Sequence, residues 1–249
     1  MTDLLPHVFA TMPLHTITGV YGEPGLRVRF LHEIAEFPDR DRILDALALV
    51  TELHRDDRRV GEPALNHLLR VATRIVCYYR VDDPDVIIAA LLHDAVEDHP
   101  EDLAQDCHGD PVAGALAVVS NRFGPGVAAI VAAVTNPAHD PAQDRHEQYR
   151  AHVTASLEAV PWARVVKVSD FTDNGVGLLY TIGPKVPKLA TKYGPLVAEY
   201  RRLVARADTP LSAEVKAHIF GQLDRATQRF EAILGTEGHS ARSFQAQTH

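Results

Sequence analysis

A short polar segment follows a run of apolar residues near the middle of the chain. Residues 86–92 are all apolar, and His93, Asp94, Glu97 and Asp98 come shortly after them. If the helix continues through this segment, residues four apart share a face, so His93 lies with Glu97 and Asp94 with Asp98. Three carboxylates and an imidazole at the end of a buried helix are costly unless something compensates them. A bound cation is the simplest compensation, and the alternative is that the helix merely emerges into water at His93.

Other side chains of suitable type lie upstream and downstream of this segment. His67 lies near the start of the preceding predicted helix, so two consecutive helices could bring it beside His93. Downstream, Lys167, Asp170 and Asn174 share one face if their segment is helical. A short strand followed by a polar turn is the alternative for that segment, because two glycines follow it closely. The helical alternative would present a second carboxylate to the same site.

Two imidazoles and two carboxylates together make a four-ligand set, called the quartet here: His67, His93, Asp94 and Asp170. The quartet contains no cysteine, which argues against a structural zinc site. Mixed imidazole and carboxylate ligation suits Mn²⁺, Fe²⁺ or Zn²⁺ and leaves open positions for water or substrate. The sequence therefore predicts a catalytic metal site rather than a structural one.

The quartet and its flanking residues resemble the HD-domain metal-dependent phosphohydrolases, whose signature is H…HD…D. Further segments are similar to the hydrolase domain of RelA/SpoT-type proteins. In order along the chain these are RRVGEP at 58–63, NH at 66–67, AALLHDAVED at 89–98, FG at 123–124 with the segment 130–135, and KVSD at 167–170 with Asn174. The resemblance covers about residues 45–200. No segment of the sequence resembles the synthetase domain that follows in the long family members. We therefore expect a small, stand-alone hydrolase.

The resemblance implies an all-helical fold and a Mn²⁺-dependent hydrolysis of guanosine tetra- and pentaphosphate alarmones that removes the 3′ pyrophosphate. It implies that the quartet holds the metal, and that Glu97 and Asp98 position and deprotonate the attacking water. These roles agree with the chemistry, because a divalent metal makes hydroxide available near neutral pH. A carboxylate one hydrogen bond from that water can take its proton.

The resemblance also implies that Arg58, Arg59 and Lys167 face the phosphates and that Asn174 faces the nucleotide. Positive charge of this kind stabilises the negative charge that the transition state spreads over phosphate oxygens. For the arginine pair, a solvated surface is the alternative interpretation. The helical alternative for Lys167 and Asn174 places both on the face that carries Asp170.

The sequence departs from the family around the downstream motif. The family usually has Arg-Leu-x-Asn-x-Arg-Thr after its aspartate, whereas residues 171–177 read FTDNGVG. Ala64 and Leu68 stand where the family usually has Tyr and Pro. Two arginines and a threonine hydroxyl that lie near the family's substrate are therefore missing. We expect this to change which nucleotide fits more than whether a metal binds.

Composition limits the partners. The chain has 249 residues, 46% hydrophobic and 23% charged, and 25 basic against 33 acidic residues give a net charge of −8. This balance argues against a general nucleic-acid or membrane-surface binder but leaves room for a small nucleotide. The two cysteines, Cys77 and Cys107, make no disulfide framework. No apolar run approaches the ~18 residues of a membrane span, so we expect a cytoplasmic protein with no membrane partner, whose oligomeric state stays open.

Helical patterns dominate the chain and predict an all-α HD-domain helical bundle with N- and C-terminal helical or loop extensions. The predicted helices are 65–79, one from Pro84 to Asp98, 111–121, 126–135, 145–160 and one that ends near Gly235. Residues 28–30 read as a short strand, and no strand hairpin is predicted. We divide the chain into an N-terminal extension (1–40), an HD-type hydrolase domain (41–205), a C-terminal helix (206–235) and a disordered tail (236–249).

The sequence thus predicts a hydrolase of guanosine 3′,5′-bis(diphosphate)-type alarmones, the nucleotides of the stringent response. One alternative is an HD-domain phosphohydrolase of another nucleotide or of a phosphorylated cofactor, which the departures at 171–177 favour. Another is a non-catalytic binding module. A non-catalytic module would be expected to lack a quartet residue or the Glu97-Asp98 pair, and this sequence contains all of them.

Overall fold

The computed structural model describes residues 9–59, 61–105, 109–137, 140–142, 144–177 and 186–245, and Cys107 and residues 246–249 lie outside these ranges. Within them the chain forms thirteen helices and one two-stranded hairpin, which confirms the predicted all-α class. None of the described helices combines the length and apolar content of a membrane span.

The elements follow in chain order: α1 (Leu14–Glu33), α2 (Arg40–Leu53), β1 (Arg58–Arg59), β2 (Glu62–Pro63), α3 (Ala64–Cys77), α4 (Pro84–Leu92), α5 (Ala95–Asp98), α6 (Pro100–Leu103), α7 (Pro111–Phe123), α8 (Pro125–Val134), α9 (Arg145–Ala159), α10 (Pro161–Asn174), α11 (Val186–Tyr193), α12 (Leu196–Ala205) and α13 (Ala213–Gln245).

Helices α3, α4 and α10 form the centre of the bundle. Helix α3 packs against α1, α4 and α10, and α4 also packs against α2 and α8. Residues 86–92 of α4 are completely buried, as an all-round apolar helix requires. The start of α4 is as predicted, because the Asp83 side chain accepts a hydrogen bond from the Asp85 N–H at 2.9 Å and Pro84 occupies the first turn.

The prediction of one helix from Pro84 to Asp98 is wrong. Helix α4 ends at Leu92, and α5 begins at Ala95. At the break, His93 Nδ1 lies 2.8 Å from the Ala90 carbonyl oxygen and donates to it. This side chain thereby competes with the backbone for a carbonyl that the helix would use. The break lets consecutive residues, His93 and Asp94, both approach the same centre, which two neighbours on one regular helix could not do.

The segment with two interpretations, 161–174, is helical. Its polar side chains are buried and their hydrogen bonds are made inside the bundle. Ser169 Oγ donates to the Val71 carbonyl at 2.9 Å, and Thr172 Oγ1 donates to the Val168 carbonyl at 2.8 Å. Because α10 is covered on several sides by other helices, its lack of a simple apolar stripe does not prevent burial.

Three further elements differ from the sequence prediction. Residues 28–30 belong to α1 rather than to a strand, and α1 bends at Gly22, whose φ of 63° is accessible to glycine. The hairpin β1–β2 was not predicted, and it turns at Gly61 with φ 87°. Helix α13 continues through Gly235 to Gln245, because an interior glycine weakens a helix by only about 1 kcal/mol and no proline follows. Residues 236–245 are therefore helical where a disordered tail was predicted.

Candidate metal centre

Three quartet residues converge from three helical elements. His67 comes from α3, His93 follows α4, and Asp170 comes from α10, and one donor atom of each lies within 4.8 Å of the other two. The two Nε2 atoms are 3.3 Å apart, and Asp170 Oδ1 lies 3.2 Å from His67 Nε2 and 3.8 Å from His93 Nε2. All three side chains are buried.

The fourth quartet residue, Asp94, lies at the same point. Its Oδ1 is 3.3 Å from His93 Nε2, and its Oδ2 is 3.9 Å from His67 Nε2. Ligand atoms that share one ion at about 2.0–2.3 Å lie about 3–4 Å from one another. The separations among His67, His93 and Asp170 have this size, so these three residues have the spacing that a single divalent cation needs, and Asp94 approaches each imidazole with a different oxygen.

The outer nitrogens of both imidazoles are already committed. His67 Nδ1 lies 2.8 Å from Asp173 Oδ2, and His93 Nδ1 lies 2.8 Å from the Ala90 carbonyl oxygen. Both partners are acceptors, so each Nδ1 carries a hydrogen and each neutral ring presents an Nε2 lone pair to the centre. Two lone pairs that face each other at 3.3 Å are compensated either by a metal ion or by a proton between them. The donor set therefore fits a metal.

The protonation state of His67 supports this interpretation. Burial lowers the pKa of His67 and so does Arg59, but the hydrogen bonds to Asp170 and Asp173, together with the charge of Asp173 and other smaller effects, raise it overall. Burial lowers the pKa of His93. A metal that binds His67 Nε2 competes with a proton for that nitrogen, so the raised pKa of His67 makes metal binding depend on pH.

Asp173 is a functional residue that the sequence analysis missed. It is buried on α10 and accepts hydrogen bonds from Arg70 Nη2 and Arg74 Nη2, each at 2.9 Å, as well as from His67. Although burial alone would raise the pKa of Asp173, Arg70, the hydrogen bonds from His15 and His67, and Arg74 together hold it well below its usual range. The available signal was spacing, because Arg70 and Arg74 follow His67 by one and two helical turns, and Asp173 follows Asp170 by one.

Lys167 and Asn174 both contact Asp170 rather than open solvent. Lys167 Nζ lies 3.1 Å from Asp170 Oδ2, and Asn174 Nδ2 donates to Asp170 Oδ1 at 2.5 Å. Burial would lower the pKa of Lys167, but the Asp170 carboxylate and, to a smaller extent, Tyr149, Asp94 and Glu97 together raise it. With only 4% of its surface exposed, Lys167 is placed to keep Asp170 ionised, whereas the resemblance implied a phosphate contact.

The two arginines of β1 occupy different environments. Arg58 is exposed, whereas Arg59 is half-buried and donates to Asp94 Oδ2 at 2.9 Å and to Asn174 Oδ1 at 2.8 Å. The hairpin is what brings Arg59 over the centre, because β1 directly precedes the turn that leads into α3. Arg59 thereby links the residue after α4 to the end of α10.

Two cavities are lined in part by quartet residues, and a third is lined by Glu97, which lies three residues after Asp94. The first, about 340 Å³, is lined by Arg58, Arg59, Asp94 and Asp98 among others and is called the Asp98 cavity. The second, about 530 Å³, is called the Tyr193 cavity and includes Arg59 and the residues His67, Asn174 and Tyr193. The third, about 410 Å³, is called the basic cavity and includes Glu97, Arg145, Lys188 and Lys192.

The two residues that the resemblance assigned to the attacking water are separated. Glu97 accepts hydrogen bonds from the backbone N–H of Asn136 at 3.2 Å and from its side-chain Nδ2 at 2.8 Å, and it lines the basic cavity. Asp98 instead shares the Asp98 cavity with Asp94. Partial burial, followed by repulsion from Asp94 and Glu97, raises the pKa of Asp98 to about 6. Of the two, Asp98 is the carboxylate that shares a cavity with a quartet residue.

The basic cavity also contains residues that the sequence analysis did not single out. Arg145 begins α9, and Lys188 and Lys192 lie one turn apart on α11. These cations are far apart in sequence, and nothing in their local spacing indicates that they meet. Only the packing of α9 and α11 around the centre assembles them.

Comparisons with known proteins agree with this geometry. Residues 46–161 match the family model described as HD domain. A Drosophila melanogaster protein, guanosine-3′,5′-bis(diphosphate) 3′-pyrophosphohydrolase MESH1, is 27% identical over 144 residues, which cover 57% of this chain and 71% of that protein. The Homo sapiens protein of the same name is 30% identical over 132 residues, covering 52% of this chain and 65% of that protein.

A solved structure shares the fold. It is described as "A metazoan ortholog of SpoT hydrolyzes ppGpp and plays a role in starvation responses", and it aligns with a TM-score of 0.57 at 22% identity. The alignment covers 78% of this chain and 97% of that one. The chain is therefore similar to HD-domain proteins over residues 46–161, the segment that carries His67, His93 and Asp94, and it shares its fold with a solved structure.

Proposed function

We propose that this protein hydrolyses guanosine 3′,5′-bis(diphosphate)-type alarmones and releases the 3′ pyrophosphate. The observation that carries the proposal is the quartet, four convergent nitrogen and oxygen donors beside a cavity that contains Asp98. Relatives named for this activity are 27% and 30% identical to this chain over 144 and 132 residues.

The quartet is proposed to hold one divalent ion, with Mn²⁺ preferred and Fe²⁺ or Zn²⁺ as alternatives. Imidazole and carboxylate donors suit all three ions. When bound, such an ion lowers the pKa of water and offsets negative charge on phosphate oxygens. The protein prepares the quartet for it: Asp173 orients His67, the Ala90 carbonyl orients His93, and Lys167 keeps Asp170 ionised.

The reaction needs a base and positive charge, and the side chains supply both. The oxygen of the attacking water bonds to the phosphorus next to the 3′ oxygen, and the bond between that phosphorus and the 3′ oxygen breaks. Asp98 is placed to accept the proton of the water on a carboxylate oxygen, and Arg58 and Arg59 are placed to donate to phosphate oxygens in the same cavity. The products are GDP, which regains a 3′ hydroxyl, and pyrophosphate.

The basic cavity is the proposed place for the remaining phosphates. The family arginines after the downstream aspartate are absent here, and Phe171 is instead buried, with its ring 4.5 Å from that of Tyr200. Arg145, Lys188 and Lys192 provide cations from other helices. We infer that they, rather than residues 171–177, bind the 5′-diphosphate.

The test is incubation of the purified protein with Mn²⁺ and guanosine tetraphosphate. GDP and pyrophosphate should appear in equal amounts by anion-exchange chromatography, and Asp94→Asn and Asp98→Asn should each lose this activity. A Glu147→Gln variant, changed on the exposed first turn of α9, is the matched control and should keep it. Absence of both products in the wild-type protein would contradict the substrate assignment.

A second candidate is hydrolysis of another nucleotide or of a phosphorylated cofactor, favoured by the buried Phe171 at the departure from the family. A panel of nucleotides, nucleoside phosphates and phosphorylated cofactors, assayed for phosphate and pyrophosphate release, separates the two. Preference for a panel member over guanosine tetraphosphate would replace the first proposal by the second.

A further inference from the structure

A second cluster of metal-ligating side chains lies on the wall of the Asp98 cavity. His54 follows α2, Asp57 lies in the turn before β1, and His99 lies between α5 and α6. Single donor atoms of these three residues lie within 4.8 Å of one another. His54 Nδ1 and His99 Nε2 are each 2.7 Å from the same atom, Asp57 Oδ2. The cluster and the quartet residue Asp94 line one cavity.

The hydrogen bonds of the cluster show where protons stand when no metal is bound. His99 Nε2 faces Asp57, and His99 Nδ1 lies 3.0 Å from Asp102 Oδ2, so both ring nitrogens face carboxylates and both carry protons. His54 Nδ1 donates to Asp57 as well. The point between the three donors is therefore already occupied by positive charge in the form of protons.

His54 adds a second observation. Only 2% of its surface is exposed, and its ring packs edge-on against the His99 ring with 4.7 Å between the centroids. Its Nε2 is buried and has no hydrogen-bond partner among the described residues. Because the ring is buried and packed against His99, its Nδ1 stays directed at Asp57 and is the nitrogen that would bind an ion, with the ring hydrogen on Nε2.

We propose that His54, Asp57 and His99 form a second divalent-cation site, separate from the quartet and beyond the proposed function. Two imidazoles and one carboxylate are the donor set that Zn²⁺ and Mn²⁺ accept in sites with open positions. The ion takes the place of the protons between the donors.

The change in geometry that the site requires is small. The 2.7 Å separations are those of hydrogen bonds, and donors around an ion at about 2.1 Å lie about 3.4 Å apart in a tetrahedral arrangement. Asp57 and His99 are partly exposed and lie in short connections, so they can move by the necessary amount, whereas the buried His54 stays fixed. The open positions of the ion then face the Asp98 cavity, where a phosphate oxygen of a bound nucleotide could become a ligand.

The experiment measures metal content without substrate. The full chain is stripped with a chelator, dialysed against Zn²⁺ or Mn²⁺, and analysed by mass spectrometry for ions bound per chain. We expect two ions in the wild-type protein, one in His99→Gln and one in Asp57→Asn. Asp170→Asn, which alters the quartet, should also keep one. His152→Gln, a half-buried histidine that donates to the Thr135 carbonyl, is the matched control and should keep two.

A Co²⁺ titration gives a second readout. The visible spectrum of the wild-type protein should show two saturating components, of which His99→Gln and Asp57→Asn lose one and Asp170→Asn loses the other. One ion in the wild-type protein, or two ions retained in both cluster variants, would overturn the proposal and leave the cluster an ion-pair network. Asp57→Asn keeps the shape of a partly exposed side chain, so it tests the site even if His99→Gln misfolds. Since no nucleotide is present, failure to hydrolyse alarmones would leave this result intact.

Discussion

Asp94 combines two roles, because one of its oxygens lies 3.3 Å from His93 and the other accepts a hydrogen bond from Arg59. Replacing it by alanine should lower metal affinity and hydrolysis by at least about 100-fold, since removing even an indirect metal contact costs 10–100-fold. The residue lies after α4 and outside the apolar core, so helicity should stay within error of the wild type. Metal content, product release and circular dichroism at 222 nm measure the three quantities. Retained activity would contradict the assignment of the centre.

Asp98 should change its pKa when the centre is loaded. In the metal-free protein its carboxyl titrates near pH 6, because partial burial and the neighbouring Asp94 and Glu97 disfavour its charge. Ionisation of Asp98 therefore costs stability as pH rises from about 4 through about 6. A cation beside Asp94 replaces part of this repulsion by attraction, so Zn²⁺ should shift the titration to lower pH. Carbon NMR of labelled aspartate measures the titration midpoint of Asp98, and the Asp98→Asn variant assigns its signal. A midpoint that Zn²⁺ leaves unchanged would contradict the proximity of Asp98 to an ion beside Asp94.

At the scale of elements, α3 and α10 are held together by one carboxylate. Asp173 of α10 accepts hydrogen bonds from Arg70 and Arg74 of α3 and also fixes the ring of His67. Asp173→Asn removes the charge but keeps the shape. Arg70 then keeps its ion pair with Glu62, whereas buried Arg74 loses the ion pair that it makes with Asp173, which should cost about 3–5 kcal/mol of unfolding free energy. The substitution should also weaken metal binding about 10–100-fold.

Chemical denaturation and metal titration test these two effects. Asp102→Asn, an exposed carboxylate beside His99, is the control and should leave both the unfolding midpoint and the affinity of the quartet near the wild type. Loss of stability without any loss of metal affinity would show that Asp173 supports the fold alone.

The elements also show what sequence patterns can and cannot predict. Helices α3, α7, α8 and α9 lie within a few residues of their predicted ranges, because apolar spacing and proline starts are local signals. The end of α4 was missed because His93 turns back to the Ala90 carbonyl, a choice that depends on the centre it faces. Asp173 and the cluster around Asp57 were missed for a related reason, since their partners come from distant segments. The quartet was found because its residue types have few other uses at that spacing.

At the scale of the whole molecule, the centre and the apolar core are separate sources of stability. The core runs through all the major helices, while the quartet occupies one end of α3, α4 and α10. We therefore expect a chelator to leave the helical spectrum unchanged but to lower the melting temperature. An ion present at 100 times its dissociation constant contributes about 2.7 kcal/mol, which corresponds to a shift of about 5–10 °C for a chain of this length.

Differential scanning calorimetry with and without Mn²⁺ measures that shift. The Asp94→Ala variant supplies the control, because its melting temperature should respond far less to the quartet ion. A wild-type protein that loses its helical spectrum when stripped of metal would show that the ion is needed for folding, contrary to the separation of core and centre.

Arg59 lies between the Asp98 cavity and the Tyr193 cavity while it donates to Asp94. An ion bound to Asp94 is attracted to the same carboxylate, so its binding weakens the ion pair between Asp94 and Arg59. The Arg59 guanidinium is then more available to bind an anion in either cavity. Thermodynamic linkage is reciprocal: the factor by which Mn²⁺ tightens pyrophosphate must equal the factor by which pyrophosphate tightens Mn²⁺. One guanidinium thus makes cation uptake and anion capture a cooperative event.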